Sequence, residues 1–361
     1  MKAAVYHGPY DIRIEEMPDP ELAPGELLLE IHAAGICGTD VGEYLHGPVS
    51  YATNGHHVTG HHGPLIPGHE FSGRVVEVAP DVEGFELGTV VASGAGISCG
   101  ECRQCLAGRT NLCVRYSTVG LQRHGALAEY CAVPASTCIA VETLGLDEET
   151  AALGQPMSIG VHSFRRGRVR PGEDVVVVGA GGIGAFLTYA AAASGASVTV
   201  VDLEPERLEL ASALGAANTV QANPEQTLAD VVDEYGLVPA AVYEVTGNET
   251  VFRQAFDAVP PGGRLVVVGL QDEPRLVDLR SVTLGEIELG GTNAHVVGDD
   301  LPEALRLLAS RDSDWSDVAP TVIPLSELVS DGLQPMAEGR STRIKTLVDP
   351  WAGAPRERAA R

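Results

Sequence analysis

Four of the chain's seven cysteines lie in one short segment, and their spacing suits metal binding. Cys99, Cys102, Cys105 and Cys113 follow the pattern C-x2-C-x2-C-x7-C in "GISCGECRQCLAGRTNLC", where the glycines let the backbone turn. Thiols this close together either form disulfides in an oxidising compartment or bind a metal as thiolates in a reducing one. The segment therefore predicts a cross-link of one of these two kinds.

The start of the chain favours the metal. "MKAAVYHGPYDIRIEEMPDPELAPG" has no apolar core and no small-residue cleavage site, so it lacks the features of a secretory signal and we expect a cytoplasmic protein. Zn²⁺ prefers four thiolates in a closed tetrahedron, which predicts a structural zinc site. An iron–sulfur cluster is the alternative, and the absence of the usual proline after the last cysteine, Cys113, disfavours it.

A second group of metal-capable residues lies in "AAGICGTDVGEY" and "LIPGHEFSG". A metal that acts as a Lewis acid needs a mixed ligand set and a vacant position, and Cys37, His69 and Glu70 suit that role. The two segments are distant in sequence. Spacing alone therefore leaves open that Cys37 is an ordinary buried core residue.

A glycine-rich sequence, "DVVVVGAGGIGAF", predicts a dinucleotide site. Gly179, Gly181 and Gly184 form G-x-G-x-x-G directly after a strand and at the start of a helix, with Gly182 and Ile183 in the same turn. The first glycine allows the tight turn, the second lets the backbone approach a pyrophosphate, and the third lets helix and strand pack closely. The helix N-terminus then faces the negative charge.

An acidic residue follows the glycine motif at the expected distance. Asp202 ends the next strand, in "SVTVVDLEPERL", where an acid binds the hydroxyls of the adenosine ribose. Its carboxylate would repel a 2′-phosphate, which predicts NAD rather than NADP. Arg207 is a nearby basic residue that argues in the opposite direction.

These residues need two kinds of scaffold, and 361 residues exceed a single ordinary core. Up to about Thr150, short apolar runs separated by Gly and Pro predict a β-rich region. Strand-like and helical runs then alternate, which predicts a doubly wound parallel sheet flanked by helices. "DLPEALRLLASR" predicts a later helix and "STRIKTLVDP" a last strand, and we expect the tail "WAGAPRERAAR" to be frayed.

Charge and hydropathy exclude several classes of partner. The net charge of −25 would repel nucleic-acid phosphates and anionic membranes. Residues 175–201 carry no charge and are long enough to span a bilayer, but their glycines interrupt any continuous helix. We expect a strand, a loop, a helix over about 183–194 and another strand there.

The motifs "GICGTD" and "PGHEFSGRVVEV", the four-cysteine segment and the glycine motif, in this order, resemble the zinc-dependent medium-chain alcohol and polyol dehydrogenases over nearly the whole chain. The insert "EYLHGPVSYATNGHHVTGHHGPLIPGHEFSG" looks most like the 2,3-butanediol dehydrogenase branch, near the sorbitol and threonine dehydrogenases. The resemblance implies an α/β protein with a GroES-like β-rich catalytic domain, residues 1–154 and 296–361, and a Rossmann NAD-binding domain, residues 155–295. It also implies two zinc ions per chain, one catalytic and one structural.

The resemblance assigns roles around the catalytic zinc. It makes Cys37, His69 and Glu70 the residues that surround the ion. Asp40 orients His69 from outside the ligand set, and Thr39 takes the first step in removing the substrate's hydroxyl proton.

Two positions depart from the family's pattern. Gln155, in "GQPMS", stands where a Glu is usual as a fourth or water-mediated partner of the zinc. Because Cys37 and Glu70 already neutralise Zn²⁺, a neutral amide would leave the ion more electrophilic. Gly42 stands where many relatives have a proton-relay histidine, so the proton must leave through water, a ribose hydroxyl of the coenzyme or a histidine of the insert.

The remaining candidate residues have weaker signals. By the resemblance, the residues on the nicotinamide side are Val245, Thr246 and Gly247, Val268, Gly269 and Leu270, and Gly291, Thr292 and Asn293, while Arg343 reaches the pyrophosphate. We expect the loop histidines to shape the substrate entrance, with an added metal as the alternative: His56, His57, His61 and His62. Cys131 and Cys138 are expected to be core residues without a disulfide.

These features predict a zinc-containing NAD(H) oxidoreductase that interconverts a secondary alcohol or vicinal diol and its ketone, for example 2,3-butanediol and acetoin. We expect the reactants to meet in the cleft between the domains. A sorbitol- or xylitol-type polyol, or a cyclic, terpene or aromatic alcohol, is the alternative substrate. A regulatory protein that binds NAD and zinc without catalysis is the alternative of another class, and acidity opposes a nucleic-acid-binding zinc module. We expect small-molecule partners and a homodimer or homotetramer.

Overall fold

The computed structural model of the protein describes residues 1–358. The chain divides into two compact units. Unit 1 comprises Met1–Ser158 together with the chain from His295 onward, and unit 2 comprises Ile159–Ala294. The assignment of residues 1–154 and 296–361 to catalysis and of 155–295 to NAD binding stays a proposal.

The first part of unit 1 is built mainly from short strands. In chain order its elements are β1 (Lys2–Gly8), β2 (Asp11–Glu16), β3 (Glu26–Gly35), α1 (Gly38–His46), β4 (Glu70–Val78), β5 (Val90–Ser93), β6 (Gly96–Ile97), α2 (Arg103–Leu106), β7 (Ser117–Thr118), β8 (Tyr130–Pro134), β9 (Cys138–Ala140) and α3 (Glu148–Ala151). Helix α4 (Gly154–Gly167) then leads from unit 1 into unit 2.

Strands and helices alternate through unit 2. They are β10 (Asp174–Val178), α5 (Gly182–Ala193), β11 (Ser197–Asp202), α6 (Pro205–Ala213), β12 (Asn218–Gln221), α7 (Leu228–Glu234), β13 (Ala241–Glu244), α8 (Glu249–Asp257), β14 (Arg264–Val267), α9 (Leu279–Gly285) and β15 (Glu288–Gly291). The chain returns to unit 1 with α10 (Val297–Ala309), β16 (Thr321–Pro324), a π-helix (Leu328–Leu333), α11 (Gln334–Ala337), β17 (Thr346–Asp349) and β18 (Arg356–Glu357).

The largest sheet of unit 1 has the strand order β18-β16-β17-β3-β4-β5-β9, with β8 also paired to β3. Alternate residues of β3 point into its core, so Leu27, Leu29 and Ile31 are fully buried beside Phe71 of β4 and Val91 of β5. The predicted β-rich region is confirmed. Strands β3 and β4 matter most for function because their paired ends carry candidate metal ligands.

The sheet of unit 2 is entirely parallel, in the order β12-β11-β10-β13-β14-β15. Both faces are buried: Val175 and Val177 of β10 pack on one face, and Val176 and Val178 pack on the other. The strand order reverses between β10 and β13, which is where such sheets bind ligands at their carboxyl ends. The prediction of a doubly wound sheet is confirmed.

The uncharged stretch 175–201 is divided into β10, α5 and β11, as expected. Within the part of the chain that the structure describes, no helix is long and apolar enough to cross a bilayer.

The expected fraying of the tail was wrong for the residues that the structure describes. Strand β18 pairs antiparallel with β16, and Arg358 is buried. The Arg358 guanidinium donates to Glu149 Oε2 at 2.6 Å and to Thr150 Oγ1 at 2.9 Å. Burial of a paired charge orders the segment. The last three residues, 359–361, lie outside the described part.

Candidate metal centres and dinucleotide site

The four cysteines of the short segment converge in the folded chain. The sulfur atoms of Cys99, Cys102, Cys105 and Cys113 lie within 4.8 Å of one another, and none of the four forms a disulfide. Cys102 is the N-cap residue just before α2 and Cys105 lies within α2, and their sulfurs are 3.5 Å apart. Four thiols brought together in this way can surround one tetrahedral ion.

Backbone and side-chain donors already favour thiolates in this group. The backbone N–H groups of Cys99 and Arg115 donate to Cys113 Sγ at 3.2 and 3.3 Å. The backbone N–H of Glu101, followed by the guanidinium of Arg115, lowers the pKa of Cys99 to about 6. Because a metal binds the thiolate form, these donors suit the group to a cation.

The second predicted group is also assembled. Ligand atoms of Cys37, His69 and Glu70 lie within 4.8 Å of one another. Strands β3 and β4 pair antiparallel with Gly35 opposite Glu70, so Cys37, just beyond β3, comes beside His69, just before β4. Strand register therefore brings together residues that are distant in sequence.

Two glycines give the ligands room. Gly68 has φ +100°, a conformation that side chains rarely adopt, and a Cβ there would lie 2.7 Å from the backbone nitrogen of Leu127. A Cβ at Gly35 would lie 2.6 Å from Glu70 Oε2. The sequence "PGHE" thus turns tightly before His69, and the Glu70 side chain lies across the backbone of Gly35.

Asp40 contacts two members of this group. Its Oδ2 accepts a hydrogen bond from the backbone N–H of Cys37 at 2.9 Å, and its Oδ1 lies 3.6 Å from His69 Nδ1. Burial lowers the pKa of His69, but Asp40 and Cys37 outweigh burial and raise it to about 10. Because Nδ1 lies on the Asp40 side, Nε2 is the ring nitrogen left for a metal.

Sequence reasoning missed Lys345. Its Nζ donates to Glu70 Oε1 at 2.6 Å, to Glu70 Oε2 at 2.5 Å and to the Ile36 carbonyl at 3.2 Å. Lys345 is 4% exposed and Glu70 is 1% exposed. The available signal was that Lys345 is one of only two lysines in the chain and lies in a predicted strand region. The charge count around Glu70 must therefore include an ammonium.

The remaining positions predicted near the catalytic metal are Thr39, Gln155 and Gly42. Thr39 Oγ1 lies 3.7 Å from Cys37 Sγ. Gln155 is buried near the start of α4, and no described contact ties its amide to Cys37, so its role stays a prediction. Gly42 lies within α1, where a Cβ would meet open space.

The loop histidines form pairs. The rings of His56 and His57 are 5.0 Å apart, and those of His61 and His124 are 4.8 Å apart. Burial lowers the pKa of His124 to about 4. Among residues 1–358, the four-cysteine group and the Cys37 group are the only sets of three or more His, Cys, Asp or Glu side chains with metal-ligand geometry.

The glycine motif joins β10 to α5 as the spacing predicts. Gly179 has φ +103°, and a Cβ added at Gly184 would overlap the Gly179 carbonyl oxygen. A Cβ at Gly181 would meet nothing within 4 Å. Gly179 therefore supplies the turn and Gly184 the close packing, while Gly181 leaves open space before the helix N-terminus, beside Gly182 and Ile183.

Asp202 ends β11 beside this turn. Its Oδ2 accepts a hydrogen bond from the Ala180 backbone N–H at 2.6 Å, and its Oδ1 accepts from the Glu204 backbone N–H at 3.0 Å. Arg207 lies 3.8 Å from Asp202 Oδ1. A cavity of about 320 Å³ opens between Gly179, Asp202 and Arg207 within unit 2. It has the size and position for the adenosine part of a dinucleotide.

Glu244, which sequence reasoning also missed, organises the predicted nicotinamide segments. This fully buried carboxylate ends β13 and accepts hydrogen bonds from the backbone N–H of Thr246 at 2.6 Å and of Gly247 at 2.8 Å. A Cβ at Gly269 would overlap the backbone of Gly247, so the segments Val245 to Gly247 and Val268 to Leu270 touch through their backbones.

The other predicted coenzyme contacts are positioned separately. Thr292 follows β15, and its backbone N–H donates to the Val267 carbonyl at 3.2 Å, which places Thr292 and Asn293 beside β14. Arg343, in unit 1, donates to Asp331 Oδ2 at 3.1 Å. Its contact with a pyrophosphate stays a prediction.

Two family descriptions match the chain: "Alcohol dehydrogenase GroES-like domain" over residues 23–143 and "Zinc-binding dehydrogenase" over residues 182–310. The sorbitol dehydrogenase of Bacillus subtilis (strain 168) is 30% identical over 356 residues, which cover 97% of each chain. The L-threonine 3-dehydrogenase of Solibacter usitatus is 32% identical over 336 residues, which cover 92% of this chain and 94% of that protein.

Solved structures agree in fold. The 2R,3R-butanediol dehydrogenase of Bacillus subtilis superposes with a TM-score of 0.87 at 29% identity, covering 97% of this chain and 99% of that one. A zinc-binding dehydrogenase of Sinorhizobium meliloti 1021 bound to NADP gives 0.84 at 28% identity, with the same coverage. A cobalt- and zinc-bound alcohol dehydrogenase of Pyrobaculum aerophilum gives 0.82 at 26% identity, also with that coverage. The chain therefore belongs to the zinc-dependent medium-chain alcohol and polyol dehydrogenase family.

Proposed function

We propose that the chain is a zinc-containing, NAD(H)-dependent dehydrogenase that interconverts a secondary alcohol or vicinal diol of the 2,3-butanediol type and the corresponding ketone. The strongest support is that Cys37, His69 and Glu70 form one group, with their ligand atoms within 4.8 Å of one another. A thiol, an imidazole and a carboxylate form the mixed donor set of a zinc site that keeps a position for a substrate.

The donor sets fit two zinc ions. Cys37, His69 and Glu70, with Gln155 as a fourth or water-mediated partner, would hold the catalytic ion, and the four-cysteine group would hold the structural ion. When bound, the catalytic zinc supplies a Lewis acid that lowers the pKa of an alcohol hydroxyl. Thr39 Oγ1 would accept a hydrogen bond from the alcohol hydroxyl and, as it takes that proton, would release its own hydroxyl proton to water, to a ribose hydroxyl of the coenzyme or to a histidine of the insert. Asp40 would hold His69 in place.

The coenzyme site of unit 2 supports hydride transfer. NAD⁺ would accept the hydride from the alcohol carbon, and the glycine turn at Gly179 to Gly184 would hold its pyrophosphate against the N-terminus of α5. The cavity beside Asp202 would hold the adenosine. Thr246, next to the Glu244 carboxylate, lies in the backbone segment proposed for the nicotinamide.

Metal analysis tests the proposed catalytic centre. The purified protein should contain about two zinc ions per chain. Cys37→Ser should lose one of them together with the activity. Cys131→Ala is the matched control, because Cys131 is a buried core thiol outside both groups, and this variant should keep both ions. A native protein with one zinc ion and no dehydrogenase activity would favour the regulatory alternative.

A substrate panel tests the reaction. Diols, polyols and cyclic secondary alcohols should be assayed by NADH absorbance, with the ketones in the reverse direction. The relatives act on sorbitol, threonine and butanediol by name, and we favour a short vicinal diol because the insert resembles that branch. A kcat/KM for sorbitol or a cyclic alcohol well above that for 2,3-butanediol would reassign the substrate within the family.

Coenzyme choice depends on Asp202. Its buried carboxylate should repel a 2′-phosphate, so kcat/KM with NAD should exceed that with NADP. Asp202→Ala should reduce this preference by at least about tenfold, which corresponds to about 1.4 kcal/mol. A native enzyme that prefers NADP would show that Arg207, and not Asp202, decides the choice.

We also propose that the protein assembles as a homodimer or homotetramer. Strand β15 is the last strand of its sheet. Three leucines in β15 or in the chain segment that leads to it are exposed, with Leu276 at 100%, Leu284 at 72% and Leu289 at 46%. An unpaired edge strand with exposed apolar neighbours favours association. Light scattering on the purified protein should give two or four times the chain mass.

A further inference from the structure

One carboxylate connects the two candidate ligands that come from β3 and β4. Asp40 Oδ2 accepts a hydrogen bond from the Cys37 backbone N–H at 2.9 Å, and Asp40 Oδ1 lies 3.6 Å from His69 Nδ1. Asp40 is 1% exposed, so water does not compete for these contacts. The position of this carboxylate therefore affects both Cys37 and His69.

Asp40 is itself held by a residue of the insert. The hydroxyl of Tyr51 donates to Asp40 Oδ1 at 2.8 Å, the same oxygen that faces His69. Tyr51 is 3% exposed. Burial, followed by the Asp40 charge, raises the pKa of Tyr51 well above its usual value, so the hydroxyl keeps its proton and remains a donor.

Contacts on several sides fix Tyr51 in place. Glu43, on the same helix α1 as Asp40, accepts hydrogen bonds from the backbone N–H groups of Val49 at 2.9 Å, Ser50 and Tyr51. The Tyr51 ring packs edge-on against the ring of Tyr6, with centroids 4.8 Å apart. A hydroxyl anchored in this way can hold Asp40 in one orientation.

We propose that Tyr51 is a positioning residue for the metal centre, acting through Asp40 on Cys37 and His69. The inference rests on the proposed function, since it assumes that these two side chains bind a metal. Removal of the hydroxyl leaves Asp40 Oδ1 without its neutral donor, so the carboxylate can rotate and its interaction with His69 changes. Loss of an outer partner of a metal ligand typically costs about 10–100-fold in metal affinity.

The test compares two tyrosine-to-phenylalanine variants. Tyr51→Phe removes only the hydroxyl that binds Asp40. Tyr6→Phe removes the hydroxyl of the neighbouring ring, which is equally buried but makes no hydrogen bond within the described residues. Any effect of lost packing or of a buried hydroxyl should appear in both variants, whereas an effect through Asp40 should appear in Tyr51→Phe alone.

The readout is cobalt bound to metal-depleted protein. Tyr51→Phe should shift the visible absorption bands of the cobalt held by the Cys37 group and release that ion to a chelator about tenfold faster. Tyr6→Phe should match the native protein. The cobalt in the four-cysteine group is an internal control, and its release should be unchanged in both variants.

Asp40→Ala tests the route, because alanine removes both oxygens that accept hydrogen bonds. If Tyr51 acts through Asp40, then Tyr51→Phe in the Asp40→Ala background should add no further change to the spectrum or the release rate. Additive effects would overturn the inference.

Other outcomes are also decisive. Equal behaviour of Tyr51→Phe and Tyr6→Phe, with two cobalt ions bound by the native protein, would overturn the inference and leave the proposed function standing. A native protein that binds cobalt only in the four-cysteine group would overturn both. A Tyr51→Phe protein that does not fold, beside a folded Tyr6→Phe protein, would show that the hydroxyl serves the fold rather than the metal centre and would overturn the inference.

Discussion

The charge of the Cys37 group depends on residues outside the ligand set. Cys37 as a thiolate and Glu70 as a carboxylate would by themselves balance the charge of Zn²⁺. Lys345 adds a buried ammonium on Glu70, and Asp40 adds a carboxylate beside His69. The electrophilicity of a bound ion therefore reflects this wider set and cannot be derived from Gln155 alone.

Replacement of Lys345 should lower the stability of the metal-free protein more than that of the zinc-bound protein. Lys345→Met leaves the Glu70 carboxylate buried without a partner, which should lower the free energy of unfolding of the metal-free protein by about 3–5 kcal/mol. Zinc should restore part of that loss, because the cation replaces the ammonium near Glu70. Urea unfolding with and without zinc measures the two free energies of unfolding. The fluorescence of the two tryptophans, Trp315 and Trp351, both in unit 1, reports the unfolding.

Lys345→Arg is the matched control, because it keeps a positive charge at the same position. It should lose less stability than Lys345→Met in the absence of metal. Equal losses for Lys345→Met in the zinc-free and zinc-loaded proteins would contradict the electrostatic account.

At the scale of elements, strand pairing decides where the chemistry lies. Antiparallel pairing of β3 and β4 joins Cys37 to His69, and pairing of β17 with β3, which sets Leu347 opposite Gly35, brings Lys345 to Glu70. A slip of one residue in either register would turn these side chains to the other face. The site is thus a property of three strand ends.

The glycine turn predicts different consequences for two Gly→Ala substitutions. Gly184→Ala should destabilise unit 2 strongly, since its Cβ would overlap the Gly179 carbonyl. Gly181→Ala meets open space and, as an N-cap change, should cost at most about 1 kcal/mol. It should nevertheless weaken NADH binding, because the methyl group would obstruct the pyrophosphate.

Thermal unfolding and NADH fluorescence titration measure the two effects. The expected pattern is a lowered melting temperature for Gly184→Ala, and for Gly181→Ala a near-native melting temperature with a dissociation constant raised at least about tenfold. Native-like NADH affinity in Gly181→Ala would argue against the proposed position of the pyrophosphate.

The part of the tail that the structure describes offers another matched pair of substitutions, because Arg358 and Arg356 both contact Glu149. Arg358 is buried and also donates to the Trp315 carbonyl at 3.2 Å, whereas the Arg356 side chain is 44% exposed. Arg358→Ala should lower the free energy of unfolding of unit 1 by about 3 kcal/mol. This is the lower end of the range for a broken buried ion pair, because Glu149 still has Arg356 as a partner.

Arg356→Ala should cost less than about 1 kcal/mol, since exposed ion pairs contribute little. Urea unfolding followed by tryptophan fluorescence compares the two variants directly. Similar small losses for both would mean that β18 does not stabilise unit 1.

At the scale of the whole molecule, the excess of acidic residues is the main electrostatic influence on stability. The chain has 49 Asp and Glu against 24 Lys and Arg, so repulsion among unpaired carboxylates opposes the compact state at neutral pH. Individual ion pairs such as Arg13 with Asp11 weaken in salt, but they are exposed and contribute little. Screening should therefore stabilise the protein on balance.

Salt should raise the melting temperature. An increase in NaCl from about 0.05 to 0.5 M shortens the screening length to below about 10 Å and should raise the melting temperature by a few degrees. Calorimetry at constant pH measures the shift, with an uncharged osmolyte at equal osmolality as the control. A melting temperature that is constant or falls over this range would contradict the account.

Local sequence was sufficient for the elements and motifs whose signals are local. Valine-rich runs, the glycine turn and the cysteine spacing predicted β10, α5, the dinucleotide turn and the four-cysteine group, because backbone preference and short spacing decide these features. Sequence could name Cys37 and His69 as candidates, although proximity did not follow from their spacing. The tail and strand β18 were misjudged, since their local composition is that of a frayed end.

Tertiary structure alone decided the long-range pairs. Lys345 meets Glu70 and Arg358 meets Glu149, each across more than 200 residues. Tyr51 meets Asp40 across only 11 residues, but the loop between them carries no periodic pattern that predicts the contact. No pattern within a short window encodes such contacts, because strand register and packing set them once the sheet has formed. A buried charge also finds its partner only in the folded chain, where desolvation makes an unpaired charge too costly.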